Sequence, residues 1–508
     1  MISSRAELLK KAVSTERWDM IVIGGGATGL GTALDAASRG YSTLLLEAND
    51  FGKGTSSKST KLIHGGVRYL RQGNVKMVMK ALRERGRLLK NAPHIAHPLR
   101  FVIPCYKWWH KAWYGLGMKV YDALARRLGI GPSRLLSREK TLEYIPGINA
   151  TGLLGGVEYW DGQFDDTRLL ISIAHTAVQK KAVLLNYIEV LGLIKENGQV
   201  KGVRARDSES GEEYTFTGRS IINATGIFTD SIRRLDDPDV NPMMQAAQGI
   251  HLVVDASFLS TNTAVMVPDT DDGRVLFGVP WHGKVLIGTT DTPLKEIGIN
   301  PKPLEEEIEY LLSHIARYLS RPIRPEDVQS VFAGLRPLVR SNKTDTKSIS
   351  RDHTLVVSPS LLVTITGGKW TTYRQMAEDA VNRAEKVSGM VKRACPTRSI
   401  ALINSEAFRS EKTADAIPKD ALSHQPFHPN LPYVEEDIRH AVTSEWARTV
   451  DDVLSRRTRC LFLDASSSIE AAPAVAAIMA TELGWDEGRQ KEEVARFVQI
   501  AQDYLVKH

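Results

Sequence analysis

The sequence predicts an α/β fold with an all-helical addition: a Rossmann-like nucleotide-binding domain, an inserted mixed-sheet domain and a helical C-terminal cap. Three observations carry that expectation. A short apolar run, Trp18–Ile23, enters a glycine-rich turn that opens a helix, and a second apolar run, Ser42–Leu46, follows it. Strand-like runs punctuated by turn dipeptides return at 183–223 and again at 245–340. Beyond residue 388 the pattern becomes irregular and then helical.

The first unit is βαβ. Leu30–Arg39 carries small and apolar residues at helical spacing, Gly40 can stop that helix, and the strand Ser42–Leu46 ends in Glu47. The segment 75–150 reads as helical and basic. In 183–223, Asn197-Gly198 and Ser210-Gly211 sit where hairpin turns belong, between runs rich in Val, Ile, Tyr and Thr. "GIHLVVD", "AVMVP", "RVLFGVP" and "KVLIGTTD" make 245–340 strand-rich. A linker-like stretch from Pro396 to Pro432 precedes helices expected at Glu435–Arg456 and Glu492–Leu505, the latter with Val494, Val498, Ala501 and Leu505 in one apolar stripe. The expected division is a discontinuous nucleotide-binding domain (1–75, 150–235 and 330–388), a substrate domain (76–149 and 236–329) and a helical domain (389–508).

Composition narrows the function classes. Of the 508 residues, 42% are hydrophobic and 25% charged, as in ordinary soluble enzymes, and no apolar run approaches the roughly 18 residues of a membrane span. "MISSRAELLKKAVSTERWD" is polar and amphipathic and has no apolar signal-peptide core, so the cytoplasm is the expected compartment. Cys105, Cys395 and Cys460 form no CxxC pair and the 13 histidines are scattered, so neither a disulfide framework nor a metal site is expected. The net charge of +7 either attracts phosphorylated metabolites or an anionic membrane surface, or is a modest excess in a long chain. No Lys/Arg block marks a nucleic-acid tract, and nucleic acid is not an expected partner.

Gly24, Gly26 and Gly29 fit G-x-G-x-x-G. The first permits the tight turn, the second lets the backbone approach a pyrophosphate, and the third lets helix and strand pack closely. The helix N-terminus presents N–H donors to the phosphate. Glu47, 18 residues past the last of these glycines, can accept from the adenosine ribose hydroxyls. FAD and NAD share this half-site. The hydroxyl-rich loop "GKGTSSKSTKLIHGGVRYL", with Thr55, Ser56, Ser57, Ser59, Lys61, Leu62 and His64, can cover a flavin and its ribityl chain, although single residues in it also read as a solvated Ser/Thr loop. Gly226 in "NATG" brings another glycine to the crevice. Gly367 and Gly368 precede a helix whose N-terminus can face the flavin pyrimidine. No second GxGxxG is present to seat NAD(P)H beside a flavin, so a small substrate is expected to reduce non-covalent FAD directly.

The ordered set GxGxxG…Glu47, "TSSKSTKLIHGGVRYL", "NATG", "GIHLVV", "IGTTD", "AGLRPL", "SRDH" and "GGKWTTYR" resembles the FAD-dependent glycerol-3-phosphate dehydrogenases, flavoproteins related by fold to D-amino acid oxidase. The match runs from about residue 17 to 388. "EWARTVDDVLSRRTRCLFLDA" is similar to that family's helical cap. The resemblance implies oxidation of sn-glycerol 3-phosphate to dihydroxyacetone phosphate, with hydride passing from C2 to flavin N5. It places Arg68, Arg336 and Lys369 around the substrate phosphate, where guanidinium forks suit phosphate oxygens; Lys369 also borders the cofactor. Tyr69 and Asp291 line the pocket in this reading. Taken alone, His251 reads as a core or edge histidine. The resemblance makes it the general base, or the group that orients the hydroxyl. His64 then shapes the flavin loop.

"CYKWWHKAWYGLGMKVYDALARRLGI" mixes Trp and Tyr with Lys, Arg and His. It reads either as a helix lying in a membrane interface or as a core helix pair with snorkelling basic residues. The resemblance implies the former: a peripheral enzyme on the inner face of the cytoplasmic membrane that reduces ubiquinone or menaquinone. Two alternatives stand beside it. One is a glycerol-phosphate oxidase using oxygen, whose extra surface insertion is not seen. The other is an amine oxidase of the same fold acting on sarcosine- or glycine-like substrates; three cations around one pocket favour a phosphate dianion instead. The sequence leaves the oligomeric state open, a homodimer included.

Overall fold

The computed structural model describes residues 3–66, 75–125, 129–267, 270–271, 273–294, 296–340, 352–404 and 426–506. In chain order, the N-terminal part runs α1 (Arg5–Ser14), β1 (Trp18–Ile23), α2 (Ala27–Ser38), β2 (Thr43–Leu46), β3 (Leu62–Ile63), α3 (Val75–Asn91), β4 (Ala96–Cys105), α4 (Trp108–Ala125), β5 (Arg134–Leu136) and α5 (Arg138–Tyr144). Next come β6 (Gly155–Phe164), α6 (Asp166–Gln179), β7 (Val183–Leu185), β8 (Ile188–Glu196), β9 (Gln199–Asp207), β10 (Glu213–Asn223) and α7 (Thr229–Asp236). Then follow β11 (Met244–Asp255), β12 (Ala264–Val267), β13 (Leu276–Trp281), β14 (Lys284–Gly288), β15 (Thr292–Pro293), α8 (Glu305–Ala316) and β16 (Val328–Val339). The last elements are β17 (His353–Val357), β18 (Val363–Gly367), α9 (Tyr373–Val387), α10 (Glu435–Glu445), α11 (Cys460–Leu463), α12 (Ala465–Leu483) and α13 (Glu487–Ala501).

Among the described residues these strands form two sheets. The eight-stranded sheet has the order β17-β18-β10-β1-β2-β7, with the β8–β9 hairpin on β10. Strands β18, β10, β1, β2 and β7 are parallel. Parallel strands covered on both faces must be apolar, which is why Met20–Ile23 of β1 and Leu44–Leu46 of β2 are continuous hydrophobic runs. Helix α2 packs its small residues on this sheet; a Cβ at Gly31 would lie 2.8 Å from the Tyr373 ring of α9. The ten-stranded sheet has the order β15-β11-β14-β13-β12-β4-β6-β3, with β16 on β11 and β5 on β6. It is largely antiparallel, and β11 pairs with β16 along almost its whole length.

Three expectations change, and one helix, α12, was not expected. The segment 75–150 is not uniformly helical: Ala96–Cys105 is a strand that pairs with β6 along its full length. Pro98 and Pro104 bar a helix there, and Phe101, Val102 and Ile103 suit a strand buried on both faces. Strands β3, β6 and β16 fall in the segments assigned to the nucleotide-binding domain, yet all three pair in the second sheet, so 1–75, 150–235 and 330–388 each contribute to both sheets. The helix expected at Glu435–Arg456 ends at Glu445, where Trp446 takes a left-handed φ of 57°, and resumes as a π-helical turn over Asp452–Arg457. Helix α12 lacks the periodic signal that marked its neighbours, because its alanines form no contrasted stripe. Residues 405–425 of the expected linker lie outside the described residues.

Candidate active site

The glycine turn sits at the C-terminal edge of the first sheet, where open α/β sheets bind their ligands. Gly24 has a φ of +108°, a region that favours glycine, and its N–H donates to the Leu46 carbonyl at 2.8 Å. A Cβ at Gly29 would lie 1.8 Å from the Gly24 carbonyl oxygen, so helix and strand can touch only with glycine there. Ser56 Oγ accepts from the Ala27 N–H at 3.0 Å, taking one of the free donors that open α2. Glu47 accepts from the Gly25 and Asn49 N–H groups at 2.5 and 2.8 Å. Burial pushes its carboxyl up, and those two backbone donors oppose the shift.

Two further glycines end neighbouring strands at the same edge. Gly226 follows β10 with a φ of +58°, and a Cβ there would meet no atom within 4 Å, so it borders open space. Gly367 closes β18, and the Thr366 hydroxyl ties that strand end to the Gly226 carbonyl at 3.1 Å. Gly368, at a φ of +73°, and Lys369 then lead into the helix beginning at Trp370, whose indole N–H donates to the Ser56 carbonyl at 2.8 Å. Three strand ends and the hydroxyl loop therefore converge on one crevice.

That loop runs between the two sheets. The Thr55 hydroxyl donates to the Leu335 carbonyl of β16 at 2.7 Å, and the Ser59 hydroxyl to Asp166 at 2.7 Å. Lys61 is fully buried, and its ammonium donates to Asp166 and the Ser57 carbonyl at 2.7 and 2.8 Å. Burial, and then the charge of Arg459, lower Lys61 to about 7 against the pull of Asp166 and Asp165. Of the expected cofactor hydroxyls, Ser56 caps the glycine turn, whereas Thr55 and Ser59 donate to protein acceptors. The Ser57 hydroxyl donates to the Gly54 carbonyl at 3.4 Å. Leu62 is buried in β3, and His64 follows that strand.

The second sheet contributes a face rather than an edge. His251 on β11 lies opposite Phe332 on β16, and its ring stacks on Phe332 at 4.8 Å and 15°. Its Nε2 shares a 2.9 Å hydrogen bond with the Thr60 hydroxyl, while Nδ1 is buried with no hydrogen-bond partner among the described residues. Burial, then the charges of Lys61 and Arg336, hold His251 well below the ordinary histidine range, so the imidazole is neutral. Arg336 pairs with Ala247, four residues along β11 from His251, which puts both side chains on one face. Gly249 lies between them; a Cβ there would be 2.5 Å from the Arg336 guanidinium. Arg336 donates to Asp291 at 3.0 Å and to the Thr290 carbonyl at 2.8 Å. The structure therefore brings together His251, Arg336 and Asp291, and sets the glycine turn, Glu47, Gly226, Gly368 and Lys369 along the crevice edge. Arg68 and Tyr69 lie outside the described residues.

Sequence reasoning missed Thr60, Phe332, Asp166 and the arginines of the C-terminal unit. Asp50, fully buried just past Glu47, accepts from Arg456 at 2.6 Å and from Arg457 at 2.8 Å on each oxygen. Burial pushes the Asp50 carboxyl up, but Arg457 and Arg456 outweigh it and hold it low. The acidic pair that caps α6 in "FDDTRLL" was a visible signal for Asp166. The arginine partners of Asp50, 406 and 407 residues away in the chain, had none.

The crevice suits a dinucleotide: an open cradle at Gly226, a left-handed turn at Gly24, a helix N-terminus, and a carboxylate at the tip of β2. Residues 19–374 match the family described as FAD dependent oxidoreductase, and residues 404–490 match the C-terminal domain of alpha-glycerophosphate oxidase. The chain is 39% identical to the mitochondrial glycerol-3-phosphate dehydrogenase of Rattus norvegicus, over 97% of this chain and 74% of that protein. It belongs to the FAD-dependent glycerol-3-phosphate dehydrogenase family. A further family member, from Schizosaccharomyces pombe, is 34% identical over 99% of this chain and 89% of its own. The solved glycerol-3-phosphate dehydrogenase of Bacillus halodurans, complexed with FAD, is similar at a TM-score of 0.79 and 29% identity, covering 99% of this chain and 97% of that one. As a family member the chain is an oxidoreductase with FAD as its cofactor, and its helical C-terminal unit is a family feature.

Proposed function

We propose that the chain oxidises sn-glycerol 3-phosphate at C2 to dihydroxyacetone phosphate and delivers the electrons to a membrane quinone. The observation that carries this reading is the shared face of β11 and β16, where a neutral buried imidazole stands beside an arginine fork anchored by Asp291. FAD, bound non-covalently, supplies the hydride acceptor. Arg336, with Arg68, Tyr69 and Lys369, holds the phosphate dianion and so fixes the distance from phosphate to C2. His251 accepts the hydroxyl proton; its neutral form at physiological pH is the form that can do so. Asp291 keeps the Arg336 fork in place.

For the electron acceptor, the support is α4. Trp108 is 80% exposed, Trp113 59% and Leu116 66%, and Leu135, 60% exposed, flanks the same helix. Lys107, Lys119, Arg134 and Arg138, from the same stretch of chain, are also exposed. Three exposed tryptophans on one helix do not fit a core helix pair; they fit a helix lying in a lipid interface. Among the described residues no helix is long and apolar enough to cross a membrane. We therefore place the enzyme on an anionic membrane surface, at the inner face of the cytoplasmic membrane, with its acceptor drawn from the bilayer.

The test is anaerobic mixing of the yellow holoprotein with glycerol 3-phosphate, followed by a quinone analogue or by oxygen. Bleaching by the phosphoester and rapid recovery with the quinone are expected. Bleaching by sarcosine or glycine instead would overturn the substrate, and recovery faster with oxygen than with quinone would overturn the acceptor.

A further inference from the structure

The C-terminal unit reaches the substrate face through residues 459–462. Arg459 precedes α11 with a φ of +67°, a left-handed conformation that non-glycine residues hold only when their surroundings impose it. Its side chain is 1% exposed and lies over the rings of Phe462 and Trp281, 4.2 and 5.3 Å from their centroids. One guanidinium nitrogen donates to the Ser455 carbonyl at 2.9 Å, within its own unit. A second crosses to the flavin loop and α6, donating to the Ser57 carbonyl at 2.9 Å and to Asp166 at 3.2 Å. Asp166 also accepts from the backbone and side chain of Ser59 and from Lys61, the residues on either side of Thr60. Thr60 is the hydrogen-bond partner of His251.

A second route leads to the same histidine. Phe462, in α11, meets Phe332 at 4.7 Å and 60°, and Phe332 is the ring on which His251 stacks. The Ser330 hydroxyl fastens β16 to the Leu461 carbonyl at 2.9 Å. Both supports of the imidazole, the hydroxyl at its edge and the ring at its face, are thus braced by residues 459–462.

We infer that Arg459 is a positioning residue for the oxidation: it locks the Ser57–Lys61 loop so that Thr60 holds His251 in register, and Phe462 braces the ring beneath. The C-terminal unit is then a strut of the substrate face rather than a detached cap. This rests on the reading of His251 as the group that handles the hydroxyl proton.

The experiment uses the full-length holoprotein with Arg459→Met, which keeps the stem over the aromatic rings and removes the donors, with Arg459→Lys as the conservative variant. Two readouts are taken: flavin reduction under anaerobic conditions across glycerol 3-phosphate concentrations, and amide hydrogen exchange of peptides covering 55–63 and 20–30. Arg459→Met is expected to keep its FAD and slow reduction at saturating substrate about 10- to 100-fold, as misplacement of a reacting group does. The half-saturating concentration changes less than about twofold, because the phosphate contacts are untouched. Exchange rises in 55–63 and not in 20–30, and Arg459→Lys recovers part of both effects. Wild-type reduction rate, or unchanged exchange in 55–63, overturns the inference. If Arg459→Met does not fold, Phe462→Leu decides: slower reduction at unchanged half-saturation supports the strut, and an unchanged rate overturns it. Failure of glycerol 3-phosphate to reduce the wild type refutes the functional reading, and the exchange comparison still decides whether Arg459 holds the loop.

Discussion

The two sheets meet their ligands in different ways. The eight-stranded sheet works at its edge, where β1, β10 and β18 end in Gly24, Gly226 and Gly367 and the useful groups are backbone N–H donors and empty space. The ten-stranded sheet works on its face, where His251 and Arg336 stand in mid-strand and the useful groups are side chains set by the register of β11 on β16. An edge built from glycine turns holds any compound with a pyrophosphate and a ribose in the right places. A face built from a neutral imidazole and an anchored arginine selects what is oxidised. Cofactor retention and substrate chemistry should therefore separate under mutation.

The sharpest test of that separation is at the edge. Gly29→Ala puts a methyl 1.8 Å from the Gly24 carbonyl and is expected to give a colourless protein that takes up no FAD on reconstitution. Gly226→Ala meets no protein atom, so its cost to the empty protein is the left-handed backbone alone, about 1–2 kcal/mol, and it should melt a few degrees lower. The added methyl enters the space kept for the dinucleotide, so FAD should also be held more weakly, without the complete loss expected of Gly29→Ala. On the face, His251→Gln is expected to retain FAD and slow flavin reduction by about 10²–10⁴ at saturating substrate, measured by anaerobic stopped flow. Reduction at the wild-type rate would remove the imidazole from the chemistry.

Next in size is the seam where the C-terminal unit grips the edge. Asp50→Asn leaves Arg456 and Arg457 facing a neutral amide in a fully buried setting, a loss of about 3–5 kcal/mol in denaturant unfolding. The same pair makes stability acid-sensitive. Because the arginines hold the Asp50 carboxyl low in the folded protein, its stabilisation is complete above the ordinary carboxyl pKa and is lost as pH falls below it. Asp50→Asn should flatten that acid limb. The smallest effect is expected far from both ligands: Trp113→Ser on α4 should weaken binding to anionic vesicles about tenfold, from the lost burial of one ring, and leave flavin reduction unchanged.

What was readable in the sequence follows the same division. The edge was legible because its devices are local: Gly24, Gly26, Gly29 and Glu47 fall within one βαβ unit, and Asn197-Gly198 announces its hairpin by the left-handed turn it makes. The face was not, because His251 meets Thr60 across 191 residues and Arg336 meets Asp291 across 45, and only strand register brings them together. For His251, local composition pointed to the core, and the family resemblance alone pointed to chemistry. β4 was hidden by the basic helices around it and α12 by its uniform alanine content. Asp166 had a local signal in the acidic pair that opens α6, but its contact with Arg459 and the contacts of Asp50 with Arg456 and Arg457 had none, since a buried charge looks like a surface charge until its partner is known.

Arg336→Ala tests the central division most directly, by flavin content together with anaerobic bleaching by glycerol 3-phosphate. A yellow protein with full FAD occupancy and reduction slowed at least about 100-fold is predicted, as expected for losing a charge-assisted fork on the phosphate. A colourless protein, or one that glycerol 3-phosphate bleaches at the wild-type rate, would contradict the separation of cofactor edge from substrate face.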